Sequence, residues 1–293
     1  MGIKGLGKFL RKKFPQCIRE TSLSAYQQQR AVIDTPIFMY RFCAVNPDTC
    51  LKMFERQLQV FSSHGIVPTY IFDGIQPASR NNKEGVDLKT NTLDQRRKRK
   101  REWKEKAKDD TLSVADRMVY ETRVRSIPTA RHYQELKELL TSRGIAYVDA
   151  EADAEKACAK ACLDGTADVV FSEDFDVLPF GWTLTTGLGR KKMVEYNLND
   201  ILKATKCTHH MFVDFCILCG CDFCPSIGNV GPVRALKLIQ AHTDIDTILT
   251  YLDRNKYKVP DTFPYAEARK VFQHLDSETP KPSSSSRGFF EFL

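Results

Sequence analysis

The sequence predicts an α/β fold in which a central parallel sheet has helices on both of its faces. Two observations predict it: short runs rich in β-branched and aromatic residues, and amphipathic stretches that alternate with those runs along the chain. Strands that alternate with helices become parallel neighbours, because each helix crosses over a face of the sheet. With 293 residues and 42% apolar side chains, the chain can bury a full core.

Four short segments are predicted to be buried strands, because each is apolar and bounded by turn formers. They are Ala31–Asp34, Pro68–Asp73, Gly144–Asp149 and Ala167–Ser172. Three segments between or after them have the apolar spacing of amphipathic helices. They are Cys50–Ser62, Thr129–Ser142 and Ala152–Leu163.

Three further segments complete the predicted organisation. Residues 84–125 are highly charged with few apolar residues, which predicts helices that leave the sheet. Residues 209–240 predict a compact helical unit around a Gly-rich turn. Residues 276–293 hold Pro280, Pro282 and a serine run before an aromatic end, which predicts a flexible tail. We therefore expect one domain over residues 1–275, followed by this tail.

The basic residues are concentrated in two blocks. Residues 1–30 hold seven Lys/Arg and one Glu, and residues 89–106 hold nine Lys/Arg and three acids, so each block is net +6. Since the whole chain is +7, the remaining residues carry −5. Basic blocks on an otherwise acidic protein predict a polyanionic partner and a carboxylate-rich site. The alternative is that the blocks are solvated helix faces.

The sequence also predicts where the protein is found. No apolar run approaches the ~18 residues of a membrane span, and the N-terminus lacks the apolar core of a signal peptide. Ten cysteines without a secretory signal indicate reduced thiols. We therefore expect an intracellular protein that does not bind membranes.

Carboxylates follow three of the predicted strands. Asp34 and Asp73 end two of them, and Asp174 and Asp176 closely follow Ala167–Ser172. The carboxyl ends of parallel strands meet at one edge of a sheet. One Asp in such a place is an ordinary turn or cap residue. Acids after three strands would repel each other unless a cation bound there.

Six motifs, taken together, resemble the flap endonuclease (XPG-type) family of 5′ nucleases. They are Met1–Leu6, Val32–Tyr40, Tyr70–Gly74, Tyr147–Glu155, Ser172–Asp176 and Phe215–Cys224. Ile227–Pro232 then resembles the family's helix–two-turn–helix, so the resemblance covers about 230 residues in the family's order. It implies a PIN-like sheet, an N-region over 1–105, a helical arch or gateway at about 84–128, an I-region at about 129–222 and the helix–two-turn–helix at about 209–240.

The resemblance implies that seven acids bind two Mg²⁺ ions. Those assigned to one ion are Asp34, Asp73, Asp153 and Glu155, and those assigned to the other are Glu155, Asp174, Asp176 and Asp222. Two divalent ions ~3.5–4 Å apart can activate water and stabilise a leaving oxygen. Oxygen ligands without a His or Cys set favour Mg²⁺, or Mn²⁺ in its place, over Zn²⁺.

Asp153 departs from the family, which usually has Glu at this position. Side chains two residues apart point away from each other on a helix, so Asp153 and Glu155 converge only if Asp153 lies at the turn or cap before it. The alternative is that both acids simply favour a helix N-terminus.

Four residues are implied to contact DNA: Gly2, Tyr40, Arg56 and Gly231. The family resemblance places Tyr40 on a base beside the scissile bond, while the alternative is a core tyrosine. Pro232 predicts a helix start whose N–H groups face a phosphate. The family often binds K⁺ there through carbonyls, but Asn229 replaces its first glycine.

Lys89 and Arg96 are the catalytic cations that the resemblance implies. They are seven residues apart, so they share one face of a helix. An apparent insertion, Arg80–Leu88, precedes them, and Arg80 is the competing candidate at the family's uninserted distance from Asp73. The alternative for Arg96–Arg101 is a nuclear localisation signal or a plain phosphate patch.

The predicted function is cleavage of 5′-flap or branched DNA in replication, repair or recombination. The alternatives are a 5′→3′ exonuclease, a catalytically silent DNA-binding module, and a PIN-type RNase, which would not need the helix–two-turn–helix. Phe289-Phe290 resembles the aromatic pair of clamp-binding peptides, which suggests a sliding clamp as a second partner, but Ser283 and Ser286 stand where those peptides have Gln and an aliphatic residue. The alternative, which the sequence favours, is a disordered end without a clamp partner. A monomer is expected. The expected location is the nucleus or, since the chain is shorter than typical cellular members, a site of viral DNA replication.

Overall fold

A computed structural model of the chain describes residues 2–74 and 90–273, with the backbone alone for residues 90–97. Its strands form one sheet in the order β1-β7-β6-β5-β2-β3-β4. They are β1 (Ile18–Thr21), β2 (Arg30–Asp34), β3 (Val67–Phe72), β4 (Tyr147–Asp149), β5 (Val169–Phe171), β6 (Leu184–Thr186) and β7 (Met193–Tyr196).

The centre of the sheet is parallel, as predicted, and one edge is not. Strands β6, β5, β2, β3 and β4 run parallel to one another, whereas β7 is antiparallel to both of its neighbours, β6 and β1. The predicted central parallel sheet is therefore confirmed, and an antiparallel edge adds to it. The physical reason is the connection: β6 and β7 are joined by a tight turn through Gly187 and Gly189, both at positive φ, and a hairpin reverses the chain.

Twelve α-helices lie within the described residues. They are α1 (Leu6–Lys13), α2 (Thr35–Val45), α3 (Cys50–Ser63), α4 (Thr90–Ala107), α5 (Val114–Arg125), α6 (Ala130–Ser142), α7 (Ala154–Leu163), α8 (Leu198–Thr205), α9 (His209–Cys219), α10 (Pro232–His242), α11 (Ile245–Tyr251) and α12 (Tyr265–Gln273). The three helices predicted near residues 50, 129 and 152 are α3, α6 and α7.

Two apolar cores cover the two faces of the sheet. Neighbouring residues of β2 point to opposite faces, so Val32 packs into one core and Ile33 into the other. The Val32 core holds α1 and α7–α12, and the Ile33 core holds α2, α3 and α6. Helices therefore lie on both faces, as the sequence predicts.

Helices α4 and α5 form an antiparallel pair that leaves the sheet. Arg123 lies 5.6 Å over the ring of Trp103, and Lys106 lies 5.2 Å over the ring of Tyr120. Arg125 at the end of α5 donates to Asp48 at 2.8 Å. This is the charged helical excursion predicted between residues 84 and 125. The predicted tail lies outside the described residues.

A buried ion pair fixes the helical unit after the sheet. Asp214 on α9 is fully buried and accepts hydrogen bonds from Nε and Nη2 of Arg269 at 2.8 and 2.7 Å. It also accepts the backbone N–H of Ile245 at 2.9 Å. One carboxylate therefore joins α9, α11 and α12.

Arg269→Ala is expected to lower the free energy of unfolding by about 3–5 kcal/mol, because it leaves the buried Asp214 carboxylate without its cation. The measurement is urea unfolding, with the midpoint compared at an unchanged slope. Arg19→Ala, which breaks the exposed pair with Asp200, is the matched control and should cost less than about 1 kcal/mol. Equal losses for the two variants would contradict this account of the helical unit.

Candidate metal centre and nucleic-acid interface

Acids from adjacent parallel strands meet at one edge of the sheet. Asp34 is the last residue of β2, and Asp73 directly follows β3, which pairs with β2. On the other side of β2, strand β5 leads into the segment that holds Asp174 and Asp176. The sheet order therefore brings together acids of different strands that are 39 to 142 residues apart in the sequence.

Asp153 and Glu155 converge on Asp73. Asp153 is the N-cap of α7 in an extended conformation, and Glu155 lies in the first turn of that helix. Ala154 donates its backbone N–H to Oδ1 of Asp73 at 3.0 Å. One carboxylate oxygen each from Asp73, Asp153 and Glu155 lies within 4.8 Å of the other two. The structure thus meets the condition set by the sequence, since Asp153 is at the cap.

Asp34, Asp174 and Asp176 are buried and joined by hydrogen bonds through Ser172. Ser172 donates its hydroxyl proton to Oδ2 of Asp34. Its Oγ accepts the backbone N–H of Asp174 at 2.9 Å, and Oδ1 of Asp174 accepts the N–H of Asp176 at 3.1 Å. The strand-end acids and the segment after β5 therefore form one connected group.

Burial and like charges raise the pKa of Asp34 to about 7. Desolvation is the largest cause, and the charges of Asp174 and Asp73 add to it, while the hydrogen bond from Ser172 opposes it. On α7, burial raises the pKa of the Cys158 thiol, and the charge of Asp34 is the next largest cause. The ionised form of Asp34 is therefore disfavoured in the protein alone.

Asp222 comes from the helical unit rather than from a strand end. It sits in the turn after α9, between Cys221 and Cys224, which form an isolated β-bridge. The pKa of the buried Cys221 thiol is raised by burial and next by the charge of Asp176. This turn therefore lies beside Asp176, and it brings the seventh predicted acid to the same region.

Gly2 lies directly against two of the acids. A Cβ on Gly2 would collide with Oδ1 of Asp174 and Oδ1 of Asp176, and the residue has φ +79°. Lys4 anchors this segment by donating its backbone N–H to Gly220 O at 2.9 Å. A side chain at position 2 would displace the carboxylates, so glycine is required by space and by backbone conformation.

The donor set suits hard divalent cations. Asp73, Asp153 and Glu155 supply carboxylate oxygens only, and Asp34 carries a raised pKa that a nearby cation would reverse. Carboxylate oxygens are the ligands that Mg²⁺ and Mn²⁺ prefer. The residues present therefore fit the metals that the resemblance implies.

Comparison with known proteins decides the family. The XPG N-terminal domain matches residues 1–103, and the XPG I-region matches residues 144–222. Flap endonuclease 1 of Drosophila grimshawi is 35% identical over 297 residues, which cover 94% of this chain and 74% of the relative. This chain belongs to the flap endonuclease family.

Solved structures agree with this flap endonuclease fold. The catalytic core of Rad2 in complex with DNA substrate superimposes with a TM-score of 0.70 at 20% identity, covering 95% of this chain and 88% of Rad2's. GEN1, a Holliday junction-resolving enzyme solved with product DNA and a Mg²⁺ ion, gives a TM-score of 0.61 at 20% identity, covering 94% and 65%. The predicted PIN-like fold class is confirmed.

Two of the predicted DNA contacts, Tyr40 and Arg56, lie on accessible surface. Tyr40 on α2 is 46% exposed, so it is not the core tyrosine of the alternative interpretation. Arg56 on α3 is exposed and lines a cavity of about 240 Å³ together with Arg41. Their contacts with DNA stay predictions.

Gly231 is the N-cap of α10, with Pro232 in its first turn. Open space surrounds the position where a Gly231 Cβ would be. Asn229 adopts φ 63°, the left-handed conformation that the family's glycine would take easily. Its side chain donates to Lys256 O at 3.2 Å. The backbone turn is thus retained despite the substitution, while the K⁺ site stays a prediction.

The two predicted catalytic cations cannot be placed. Lys89 and Arg80 lie outside the described residues, and Arg96 lies on α4 among the residues whose side chains are not described.

Two residues beside the acids were not predicted from the sequence. Ser172 stood inside a recognised motif without a role, and Tyr133 on α6 packs edge-on against Phe72 with 6.3 Å between ring centroids.

Asp34→Asn is expected to raise the melting temperature of the metal-free protein by several degrees near pH 8. The folded state of the wild type binds a proton at Asp34 up to about pH 7, whereas the unfolded state loses it near pH 4, so wild-type stability falls as the pH rises between these values. The Asp34→Asn variant has no carboxylate to ionise, so it avoids this loss of stability. Its melting temperature should equal that of the wild type near pH 4.

The measurement is thermal unfolding with chelator at both pH values. Asp168→Asn is the control of opposite sign, because Arg30 lowers the pKa of Asp168 and the ionised form therefore stabilises the fold. Its variant should melt lower near pH 8. An Asp34→Asn protein less stable than the wild type at that pH would contradict the assigned electrostatics.

Proposed function

We propose that this chain is a metal-dependent, structure-specific 5′ nuclease. It hydrolyses phosphodiester bonds at 5′-flap and branched DNA junctions during replication, repair or recombination. The observation that carries this function is the convergence of Asp73, Asp153 and Glu155 beside the buried Asp34, in a chain that belongs to the flap endonuclease family.

The acids of the sheet edge hold the metal. Asp34, Asp73, Asp153 and Glu155 would hold one cation, and Glu155, Asp174, Asp176 and Asp222 would hold the other. When bound, Mg²⁺ supplies an activated water near neutral pH and stabilises charge on the attacking and leaving oxygens. GEN1, of the same fold, was solved with Mg²⁺, and Mn²⁺ substitutes because it prefers the same ligands.

The chain's own residues bind and orient the DNA. Gly2 lets the N-terminal segment cover one side of the Asp174 and Asp176 carboxylates. Tyr40 offers an exposed ring to a base, and Lys89 and Arg96 present positive charge to the scissile phosphate. The start of α10 at Gly231 presents N–H groups to a duplex phosphate, with K⁺ bound by nearby carbonyls.

The partners follow from the same function. Rad2 was solved with a DNA substrate, and branched DNA is the partner here. A sliding clamp, recognised through the sequence at Phe289 and Phe290, is a second proposed partner, and the proposed state is a monomer. It works inside the cell, in the nucleus or at a site of viral DNA replication. No helix of the described residues is long and apolar enough to cross a membrane.

A panel of labelled substrates in Mg²⁺ tests this function. A 5′-flap duplex, a blunt duplex, a four-way junction and a single-stranded RNA are compared at equal concentration. Endonucleolytic release of the intact flap as the fastest reaction is the expected result. Stepwise release of nucleotides from the blunt duplex would favour an exonuclease, preferred cleavage of RNA would favour an RNase, and tight flap binding without cleavage would favour a silent DNA-binding module.

A further inference from the structure

Ser172 connects acids that come from two different elements. The residue follows β5 and is fully buried. A hydroxyl has one proton, so donation to Oδ2 of Asp34 uses it, and the oxygen lone pairs accept the N–H of Asp174. The three groups therefore form a directed hydrogen-bond chain from Asp174 through Ser172 to Asp34.

The position of this hydroxyl is set by the sheet. Phe171, the preceding residue, pairs with Ile33 of β2 on one side and with Thr185 of β6 on the other. Ser172 itself donates its backbone N–H to Thr185 O at 3.2 Å. The side chain has a single rotatable bond before its oxygen, so the backbone position and the two hydrogen bonds together determine where the oxygen lies.

Asp34 depends on this donor more than an exposed carboxylate would. It is buried, with the charges of Asp174 and Asp73 nearby. The backbone N–H of Ile37 is a second donor to Asp34. Without the hydroxyl, the carboxylate would keep that hydrogen bond but could rotate about it, away from its like-charged neighbours. The segment that begins at Asp174 would also lose the acceptor for its first N–H group.

We propose that Ser172 is a positioning residue for the nuclease. Its hydroxyl holds Asp34 at a fixed place relative to the segment that carries Asp174 and Asp176, and it thereby sets the spacing between the two cation positions. The proposal rests on the proposed function, since it assigns these acids to different cations. A merely structural role would affect stability alone.

Ser172→Ala is the test, with Thr185→Ala as the matched control. Thr185 carries a buried hydroxyl on the neighbouring strand, and that hydroxyl contacts Tyr26. Mn²⁺ binding is titrated by electron paramagnetic resonance without DNA, and single-turnover cleavage of a 5′-flap duplex is measured against Mg²⁺ concentration. We expect Ser172→Ala to bind Mn²⁺ about 10- to 100-fold more weakly, to need correspondingly more Mg²⁺, and to bind flap DNA normally.

Two further variants separate positioning from packing. Ser172→Thr keeps the hydroxyl and should retain most of the Mn²⁺ affinity. Ser172→Cys fills similar space with a weak donor and should lie between Ala and the wild type, which keeps the test open if Ala fails to fold. Unchanged Mn²⁺ affinity in Ser172→Ala or Ser172→Cys, or an equal loss in Thr185→Ala, would overturn the proposal.

The outcomes also separate this proposal from the function on which it rests. If the wild type cleaves flap DNA and Ser172→Ala binds Mn²⁺ normally, the positioning role fails alone. If the wild type cleaves none of the substrates but loses Mn²⁺ affinity on Ser172→Ala, the positioning role stands and the nuclease function fails.

Discussion

Asp176→Asn is expected to lower the single-turnover cleavage rate in Mg²⁺ by about 10³-fold or more. Asp176 is almost fully buried beside Gly2 and the Cys221 turn, so an amide of the same shape keeps the packing and removes one charge. DNA affinity comes mostly from phosphate contacts elsewhere, so flap binding should change by only a few-fold.

The comparison needs binding and rate measured on the same variant. Binding is measured by fluorescence anisotropy with a labelled 5′-flap duplex, and cleavage by rapid quench at saturating enzyme. Asp200→Asn, which changes an exposed acid on α8, is the charge-matched control and should cleave normally. Robust cleavage by Asp176→Asn would remove Asp176 from the metal site.

Arg96→Ala is expected to reduce the single-turnover rate by about 10²-fold with a modest loss of binding, because it removes one oriented cation from the transition state. Arg101→Ala is the matched control. It lies in the same basic run of α4 but about 140° further round the helix, so it should leave the rate at saturation nearly unchanged.

The alternative role for Arg96 predicts a different pattern. As part of a phosphate patch, its loss would weaken binding and flatten the salt dependence while the saturated rate stayed normal. The same assay determines whether the catalytic cation before Arg96 is Lys89, after the apparent insertion, or Arg80, at its start. If Arg80→Ala reproduced the rate defect and Lys89→Ala did not, Arg80 rather than Lys89 would be the residue that faces the metals.

The parts of the fold that the sequence predicts are those with strong local patterns. Four apolar runs predicted β2, β3, β4 and β5, and α3 was predicted as Cys50–Ser62 against an observed Cys50–Ser63. Strands β6 (Leu184–Thr186) and β7 (Met193–Tyr196) were missed because each mixes apolar residues with Thr or Glu, so neither forms a continuous apolar run. Strand β1 is at the sheet edge and half exposed, so its apolar pattern is weak.

The candidate site, like the fold, has some features that the sequence predicts and others that it does not. That acids follow strand ends could be predicted, because strand ends are local features and parallel strands share an edge. The contact of Gly2 with Asp174 could not, since it depends on how the first residues pack across the finished sheet. The link from Ser172 to Asp34 spans 138 residues and likewise needs the tertiary fold.

Anomalous diffraction from crystals grown with Mn²⁺ tests the central claim most directly, namely that acids from separate elements form one two-cation site. The account predicts two Mn²⁺ ions about 3.5–4 Å apart, with Asp34, Asp73, Asp153 and Glu155 at one and Asp174, Asp176 and Asp222 completing the other. A chain with no Mn²⁺ at the sheet edge, or with its ion at the separate group formed by Cys43, Cys50 and His132, would contradict it.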